Sequence, residues 1–435
     1  MRHVAVMTAT GSIGLMAIFV VDLLSLLYVS RLGDQSLKAA VGYASQVMFL
    51  AMAINIGLTI AISATVSRAL GEGDRPKARR LAASGLTICA VIAALTALVL
   101  FVWRGSILSL ALHADGPSAA VADKFLAITL PANVLMGLGM SLSGVLRAVG
   151  DARRAMYVTL AGGVVTAFTD PLLIFGFGLG VYGAAWATVI SRLVFFGVGA
   201  WGAVGIHHLV GRPDWRATLR DLGPIMLIGV PSILANLATP VAALYTTRIY
   251  SDFGESAVAA GAIVDRVTPV LFGVIFALTG SIGPIIGQNL GAGLMGRVRR
   301  AITDSFVLAV AYAFLAWAAL ALVSPLVVVA FDASGQSAHL VTFFSRFGVS
   351  MWVFITCLFV ANTVFNNLGY PLLATAFNWG RATLGTIPFA TLGARQGGVE
   401  GAMLGIAFGA ALFGLAAVAT AYYVTSRLAK RLKTL

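Results

Sequence analysis

Leu70-Gly71-Glu72-Gly73, which stands just ahead of a basic cluster, returns 220 residues later as Leu290-Gly291-Ala292-Gly293. Gly150, at the opening of a short loop, returns as Gly369 at an offset of 219, and Gly180-Val181-Tyr182-Gly183-Ala184 returns as Gly398-Val399-Glu400-Gly401-Ala402 at 218. Three matches at a nearly constant offset are hard to obtain from apolar composition alone. They mark a duplicated unit that fills the chain.

The composition says what that unit is made of. Of the 435 residues 59% are hydrophobic and 10% charged, whereas soluble domains run near 45–50% apolar and about 25% charged. A water-soluble enzyme is excluded, and the unit to count becomes the membrane span of about 20 residues. Breaks at charges and Gly/Pro clusters predict twelve helices, near 4–30, 40–68, 81–102, 120–146, 157–178, 181–206, 223–250, 257–289, 301–330, 338–366, 370–393 and 399–426. Several approach 28 residues, long enough to tilt, kink or protrude. The first apolar run is too long for a signal-peptide core and ends at Arg31 without a small-residue cleavage site, so no cleaved leader is expected.

The expected fold class is therefore an all-α membrane protein, with an N-terminal lobe of six helices over 1–206, a linker over 207–222 and a C-terminal lobe over 223–435 ending in a short basic tail. Six is even, so the lobes share one orientation and are related by an axis along the membrane normal, as in alternating-access carriers with a central cavity. Duplication for stability alone is the plainer alternative.

The chain holds 29 Lys+Arg against 16 Asp+Glu, a net +13. Nineteen of the 29, from Arg2 through Arg75, Lys77, Arg79 and Arg80 to Arg427 and Lys433, fall on one side of the twelve-helix scheme; Arg31, Lys38, Arg104, Lys124, Arg248 and Arg395 fall on the other. The positive-inside rule then puts both termini and the 207–222 linker in the cytoplasm, and the inner cell membrane is the expected location. The basic excess is topology, which leaves no domain for nucleic acid. Cys89 and Cys357 lie in separate apolar runs and imply no disulfide framework.

Ionisable groups at membrane depth are costly and are the first functional candidates. Most of the acids sit in loops; Asp22, Asp170 and Asp265 do not. Asp22 precedes Arg31 by nine residues and Asp170 precedes Phe177 by seven, which places both in the outer half of the first lobe. Two carboxylates in a low-dielectric site cannot both stay ionised cheaply, so one holds a proton or the pair holds a cation. Pro171 bends the helix beside Asp170 and frees the Ala167 carbonyl, with Thr166 one turn earlier and Thr188 in the next helix. An Asp satisfied by hydroxyls without any transport role is the competing reading. The second lobe carries Ala243 and Pro388 at the equivalent positions, so ion coupling belongs to the first lobe alone. Asp265 and Arg266, with Arg346 and Arg381, are candidates for a substrate cavity or for charge compensation between helices. Zinc-protease, nucleophile-elbow and P-loop signatures are missing, no cofactor is called for, and no catalytic residue is expected.

Val21-Asp22, Arg31-Leu32-Gly33, Ala39-Ala40-Val41-Gly42, Leu70-Gly71-Glu72-Gly73-Asp74, Leu146-Arg147-Ala148-Val149-Gly150-Asp151, Asp170-Pro171, Gly229-Val230-Pro231 and Ile286-Gly287-Gln288-Asn289, in that order, resemble the multidrug and toxic compound extrusion (MATE) family. The resemblance implies export of amphiphilic or cationic small molecules against H⁺ or Na⁺ by two lobes embedded in lipid, and a monomer is expected. In the family's DinF-like branch a first-helix and a fifth-helix Asp form the cation site. Here these correspond to Asp22 and Asp170, with Thr188 beside them; Thr166 and Ser143 stand where the branch carries Asn. Losing two amide oxygens weakens Na⁺ ligation and favours H⁺. The other bacterial branch uses acids near Thr239 and Asn362; Asn362 is kept as a cavity candidate. A lipid-linked sugar flippase of the same superfamily is the runner-up, and Arg346 and Arg381 are what favour it.

Overall fold

The computed structural model of the chain describes residues 2–30, 32, 35–111, 116–331 and 333–431, and among them holds helices and turns without a strand. The first repeat contains α1 (Arg2–Ser30), α2 (Gln35–Gly71), α3 (Arg75–Ser106), α4 (Gly116–Thr129), α5 (Asn133–Val149), α6 (Ala152–Pro171) and α7 (Val181–Ala200). The second contains α8 (Trp215–Ser251), α9 (Glu255–Gly291), α10 (Met295–Ala330), α11 (Gly335–Arg346), α12 (Met351–Leu368), α13 (Pro371–Gly380) and α14 (Ile387–Arg431).

Among the described residues these helices are long and apolar enough for twelve crossings once the bent pair is joined and the last stretch divided. α4 and α5 form one span bent by 53°, and α11 with α12 occupies the single stretch Gly335–Leu368. The stretch Pro371–Arg431 has 61 residues, which at 1.5 Å per residue is about three times a hydrocarbon core of about 30 Å. It turns back where Gly397 and Gly398 leave helical geometry, and so crosses twice.

The duplication is written in the backbone. Gly150 and Gly369 end α5 and α12 with φ of 93° and 87°, a left-handed conformation that glycine adopts without a Cβ penalty. Gly180 (φ 57°, ψ −139°) and Gly398 (φ 60°, ψ −143°) open the last helix of each repeat in the same unusual geometry. The packing repeats as well: α2 lies against α3 and α5 and α5 against α7, as α9 lies against α10 and α12 and α12 against α14.

Two compact units result, Ala9–Ile233 and Met1–Thr8 with Leu234–Leu435, and their division falls inside α8. The stretch 207–222 differs from the linker expected: it is helical from Trp215, and the Gly211 N–H donates to the Arg79 carbonyl at 3.2 Å. Hydropathy stops at charges, but here the charges form the polar first turns of long helices that outreach the hydrocarbon. The Asp214 carboxylate accepts the Arg216 N–H at 3.0 Å at the start of α8. For the same reason α3 and α6 begin at Arg75 and Ala152 rather than at 81 and 157. Asp74 caps the first by accepting the Lys77 N–H at 2.9 Å, and Asp151 caps the second by accepting the Arg154 N–H at 3.0 Å, each supplying an acceptor for an otherwise orphan donor.

Glycine also sets helix contacts. Gly401, Gly405 and Gly409 recur every fourth residue, and a Cβ on any of them would strike the carbonyls of Gly393, Phe389 and Gly385 respectively. Small residues at this spacing let two backbones touch.

Candidate functional site

The site in the first unit is built on α1 and α6. A Cβ on Gly14 would collide with Thr159, and one on Gly163 would meet Val21 and Ala17 at 3.7–3.8 Å. These contacts run α1 parallel to α6 at close range and bring Ser25 opposite Asp170. The Asp170 side chain is buried, 1% exposed, and accepts a hydrogen bond from the Ser25 hydroxyl. The same register places the backbone of Asp22 level with Thr166, one turn below Asp170, or roughly 5 Å along the axis. The side chain of Asp22 lies outside the described residues.

Pro171 follows the acid, and beyond it the helix widens into a π-turn over Leu172–Gly176, where the Phe177 N–H reaches the Leu172 carbonyl at 2.9 Å. Such turns relieve a helix whose ordinary ladder proline has interrupted. Gly183 of α7 sits directly against the Leu173 backbone, and the Ser191 hydroxyl donates to the Gly162 carbonyl at 2.9 Å. The antiparallel register of α6 and α7 that follows puts Thr188 at the height of Thr166. Thr166 and Thr188 donate to the carbonyls of Gly162 and Ala184, each at 3.0 Å, which leaves their oxygen lone pairs as acceptors.

Ser143 is not part of this group. Its hydroxyl faces the Ala155 carbonyl at 3.4 Å, at the beginning of α6, and accepts from the Arg147 guanidinium at 3.2 Å. Fifteen residues of helix, about 22 Å, separate Ala155 from Asp170. A fourth-helix residue matched by sequence order therefore falls at the wrong depth, where it braces Arg147.

In the second unit the candidates do not converge on one site. Asp265 and Arg266 are exposed neighbours on α9 and make no ion pair among the described residues. Arg346 ends α11, exposed, with its carbonyl taking the Trp317 indole N–H at 2.8 Å. Arg381 and Asn362 are the pair worth keeping together. Arg381 is buried and its Nε has no partner among the described residues, as is true of the Asn362 carbonyl oxygen. Phe365 and Phe377 stack at 5.7 Å, a register that sets Asn362 and Arg381 at about the same height on neighbouring helices.

Three features escaped the reading of the sequence. Ser25 lies one turn beyond Asp22 on α1, a spacing of three that could have flagged it. Arg192 of α7 donates to the Thr129 carbonyl at 2.8 Å and so satisfies the end of α4 at its bend. Asn55 and Asn133 are buried and joined at 2.9 Å, with Asn133 also donating to the Ala93 carbonyl at 3.3 Å; this ties α2 and α5 to α3. Near the basic rim, Asp151 receives the Arg154 N–H and guanidinium and the His207 ring at 2.8 Å. Partial burial alone would raise its pKa, but these hydrogen bonds outweigh it and hold the carboxyl below the usual carboxylate range. Among the described residues no three His, Cys, Asp or Glu side chains gather as a metal site.

Comparison with known proteins places this arrangement. A family model described as MatE matches residues 12–172 and again 231–392, once in each repeat. The FAD transporter of Shewanella oneidensis is 27% identical over 98% of this chain and 94% of its own length. The probable multidrug resistance protein NorM of Rhizobium meliloti is 30% identical over 66% of this chain and 62% of its own. In structure the chain is similar to a mutant of the Vibrio cholerae MATE transporter VcmN, with a TM-score of 0.92 at 24% identity over 99% of this chain and 97% of that one. It is similar also to a MOP superfamily transporter from Pyrococcus furiosus, with a TM-score of 0.91 at 21% identity over 98% and 96%.

Proposed function

The chain belongs to the multidrug and toxic compound extrusion (MATE) family of membrane transporters, and on that premise we propose that it is an ion-coupled exporter of amphiphilic or cationic organic compounds. It sits in the inner cell membrane as a monomer with both termini in the cytoplasm, and belongs to the DinF-like branch. The observation that carries the coupling is Asp170, sealed from solvent with the Ser25 hydroxyl on it and the Asp22 backbone one turn away. A carboxylate so placed needs a proton or a cation to be neutral, and its environment must differ between the two open states for the ion to drive the cycle. Few oxygens stand ready for Na⁺: Ser143 is about 22 Å off, and Thr166 and Thr188 contribute hydroxyls only. This favours H⁺. Efflux from proteoliposomes under separately imposed H⁺ and Na⁺ gradients tests the proposal. A rate that follows neither gradient overturns it.

A second reading of the substrate rests on Arg381. An uncompensated guanidinium at membrane depth is costly, and its geometry suits a phosphate. A relative that aligns with nearly the whole chain is named for a phosphate-bearing substrate, FAD, and a lipid-linked sugar, the flippase alternative, carries phosphate too. Arg381→Gln separates these substrates. Loss of flavin nucleotide or lipid-phosphate transport with cationic dye efflux intact supports the second reading; equal effects on both dismiss it.

A further inference from the structure

A cavity of about 380 Å³ opens in the first unit where α3, the segment before α8 and the start of α8 meet. Four arginines line it: Arg79 and Arg80 from α3, Arg212 from the connecting segment, and Arg220 from α8. Two carboxylates stand with them, Asp214 in the lining and Asp221 beside Arg80 and Arg220, too few to balance the group. Asp221, its side chain 5% exposed, accepts the Ser84 hydroxyl at 2.9 Å and Arg80 Nε at 3.1 Å, with Arg220 Nε more distant at 3.9 Å. Asp214 is held by the Arg216 N–H at 3.0 Å. Arg79 and Arg212 have no ion pair among the described residues, although the chains that bear them are clipped together by the hydrogen bond from Gly211 to the Arg79 carbonyl. Four guanidiniums against two carboxylates leave the group with an excess of two positive charges.

The face of α8 turned away from the cavity has a second character, for its apolar residues are not among those that line the cavity. Trp215, Leu219 and Leu222 are exposed at 61%, 53% and 39%, at a spacing of four and then three residues along the first turns of α8. They form an apolar stripe beside Arg216 and Arg220. A helix that shows aromatic and aliphatic groups on one side and arginines on the other lies at the level of lipid headgroups, and the basic asymmetry of the chain assigns this end to the cytoplasmic leaflet. The stripe thus sets the start of α8, and the cavity on its other face, at headgroup height, where the phosphate at hand is that of a lipid.

We propose that this cavity binds the phosphate of an anionic phospholipid from the cytoplasmic leaflet. Arg79 and Arg212 make the charge-assisted hydrogen bonds to the phosphate oxygens, and Arg80 and Arg220 are positioned by Asp221. The bound lipid joins α3 to the segment that leads into α8. The same position in the second repeat offers Arg299 and Arg300, but there Arg299 donates to Ser426 at 3.2 Å, and the residue 218 positions after Arg212 is Lys430, a point charge without the forked guanidinium. One such site per chain is expected. The proposal rests on the orientation of the chain in the membrane and not on the identity of the transported compound.

The full-length protein in detergent is titrated with phosphatidylglycerol, phosphatidylcholine, glycerol phosphate and inorganic phosphate, and bound lipid is counted by mass spectrometry of the intact complex while the melting temperature is followed. Phosphatidylglycerol is expected to remain bound at one equivalent and to raise the melting temperature, with phosphatidylcholine failing to do either. The Arg79→Gln/Arg212→Gln variant is expected to lose at least about tenfold in phosphatidylglycerol affinity, whereas Arg297→Gln/Arg299→Gln, of equal charge, keeps it. Arg212→Gln alone, an exposed loop substitution that the fold tolerates, gives an intermediate loss should the double variant misfold. Equal retention in the two double variants overturns the site. Stabilisation by glycerol phosphate or inorganic phosphate to the same degree as by phosphatidylglycerol overturns the lipid as occupant.

Discussion

Replacing Asp170 with asparagine distinguishes a working carboxylate from a structural one, because the two predict opposite signs. The side chain is 1% exposed, and the Ser25 hydroxyl is its hydrogen bond among the described residues. An amide of the same size still accepts that bond through its oxygen, so packing and contact are nearly conserved. What changes is the charge. Exchanging a poorly compensated buried ion for a neutral group of similar volume stabilises proteins by about 1–4 kcal/mol, and a unit of this size gains roughly 2–4 °C per kcal/mol. Asp170→Asn is therefore expected to raise the melting temperature at neutral pH by roughly 2–16 °C while gradient-driven efflux falls to the passive leak. Thermal unfolding in detergent and efflux from proteoliposomes at matched protein density measure the two effects. A lower melting temperature together with efflux at the wild-type rate would refute the reasoning, since Asp170 would then be a structural acceptor satisfied by its surroundings.

Asp22→Asn is expected to abolish efflux as well, with substrate binding retained; wild-type export by this variant would confine coupling to Asp170. Single cysteines at Gly73 and Asp214 are expected to react with impermeant label from the cytoplasm and one at Asp252 from outside, against a low background because Cys89 and Cys357 are buried; labelling of the Asp252 position from the cytoplasm reverses the topology. The hydrogen bonds that depress the Asp151 pKa add stability that is present above the ordinary carboxylate value of about 4 and is lost as pH falls through the lower folded value. Asp151→Asn should thus melt earlier than wild type at neutral pH by about 1–2 kcal/mol, and the difference should shrink in strong acid; a constant difference would contradict the assignment. Gly405→Leu forces a side chain into the Phe389 carbonyl and is expected to destabilise by about 1–3 kcal/mol or more, with an unchanged melting temperature as the contrary result.

The architecture could be read from the sequence because membrane spans and a duplicated glycine grammar are both local signals. Gly150, Gly180, Gly369 and Gly398 could be paired by offset alone, and the structure gives the members of each pair matching dihedrals. The helix starts could not, because Lys77, Arg154 and Arg216 read as charged breaks between apolar runs although Asp74, Asp151 and Asp214 cap helices by accepting their N–H groups. Asp170 was legible as an acid at depth, and its partner Ser25 was not, since a serine among leucines carries no hydropathy signal. Ser143 went astray because order along the chain does not fix depth in a bent span. The arginine-lined cavity was invisible for a related reason: Arg79 and Arg212 come together only through the Gly211 hydrogen bond.

The glycine spacing in α14 also decides where the chain can be lengthened. Gly401, Gly405 and Gly409 meet their partners in steps of four on both strands of the hairpin, so the two strands mesh like the teeth of a zip fastener with a single permitted alignment. Extra residues at Gly397–Gly398 would only enlarge the slack at the closed end. A single residue added between Gly401 and Gly409 would put a side chain under every tooth beyond it. A reporter peptide or fluorescent fusion for following this protein in cells thus has a natural place of insertion at that turn, and three positions soon after it, Gly401, Gly405 and Gly409, at which even alanine is too large.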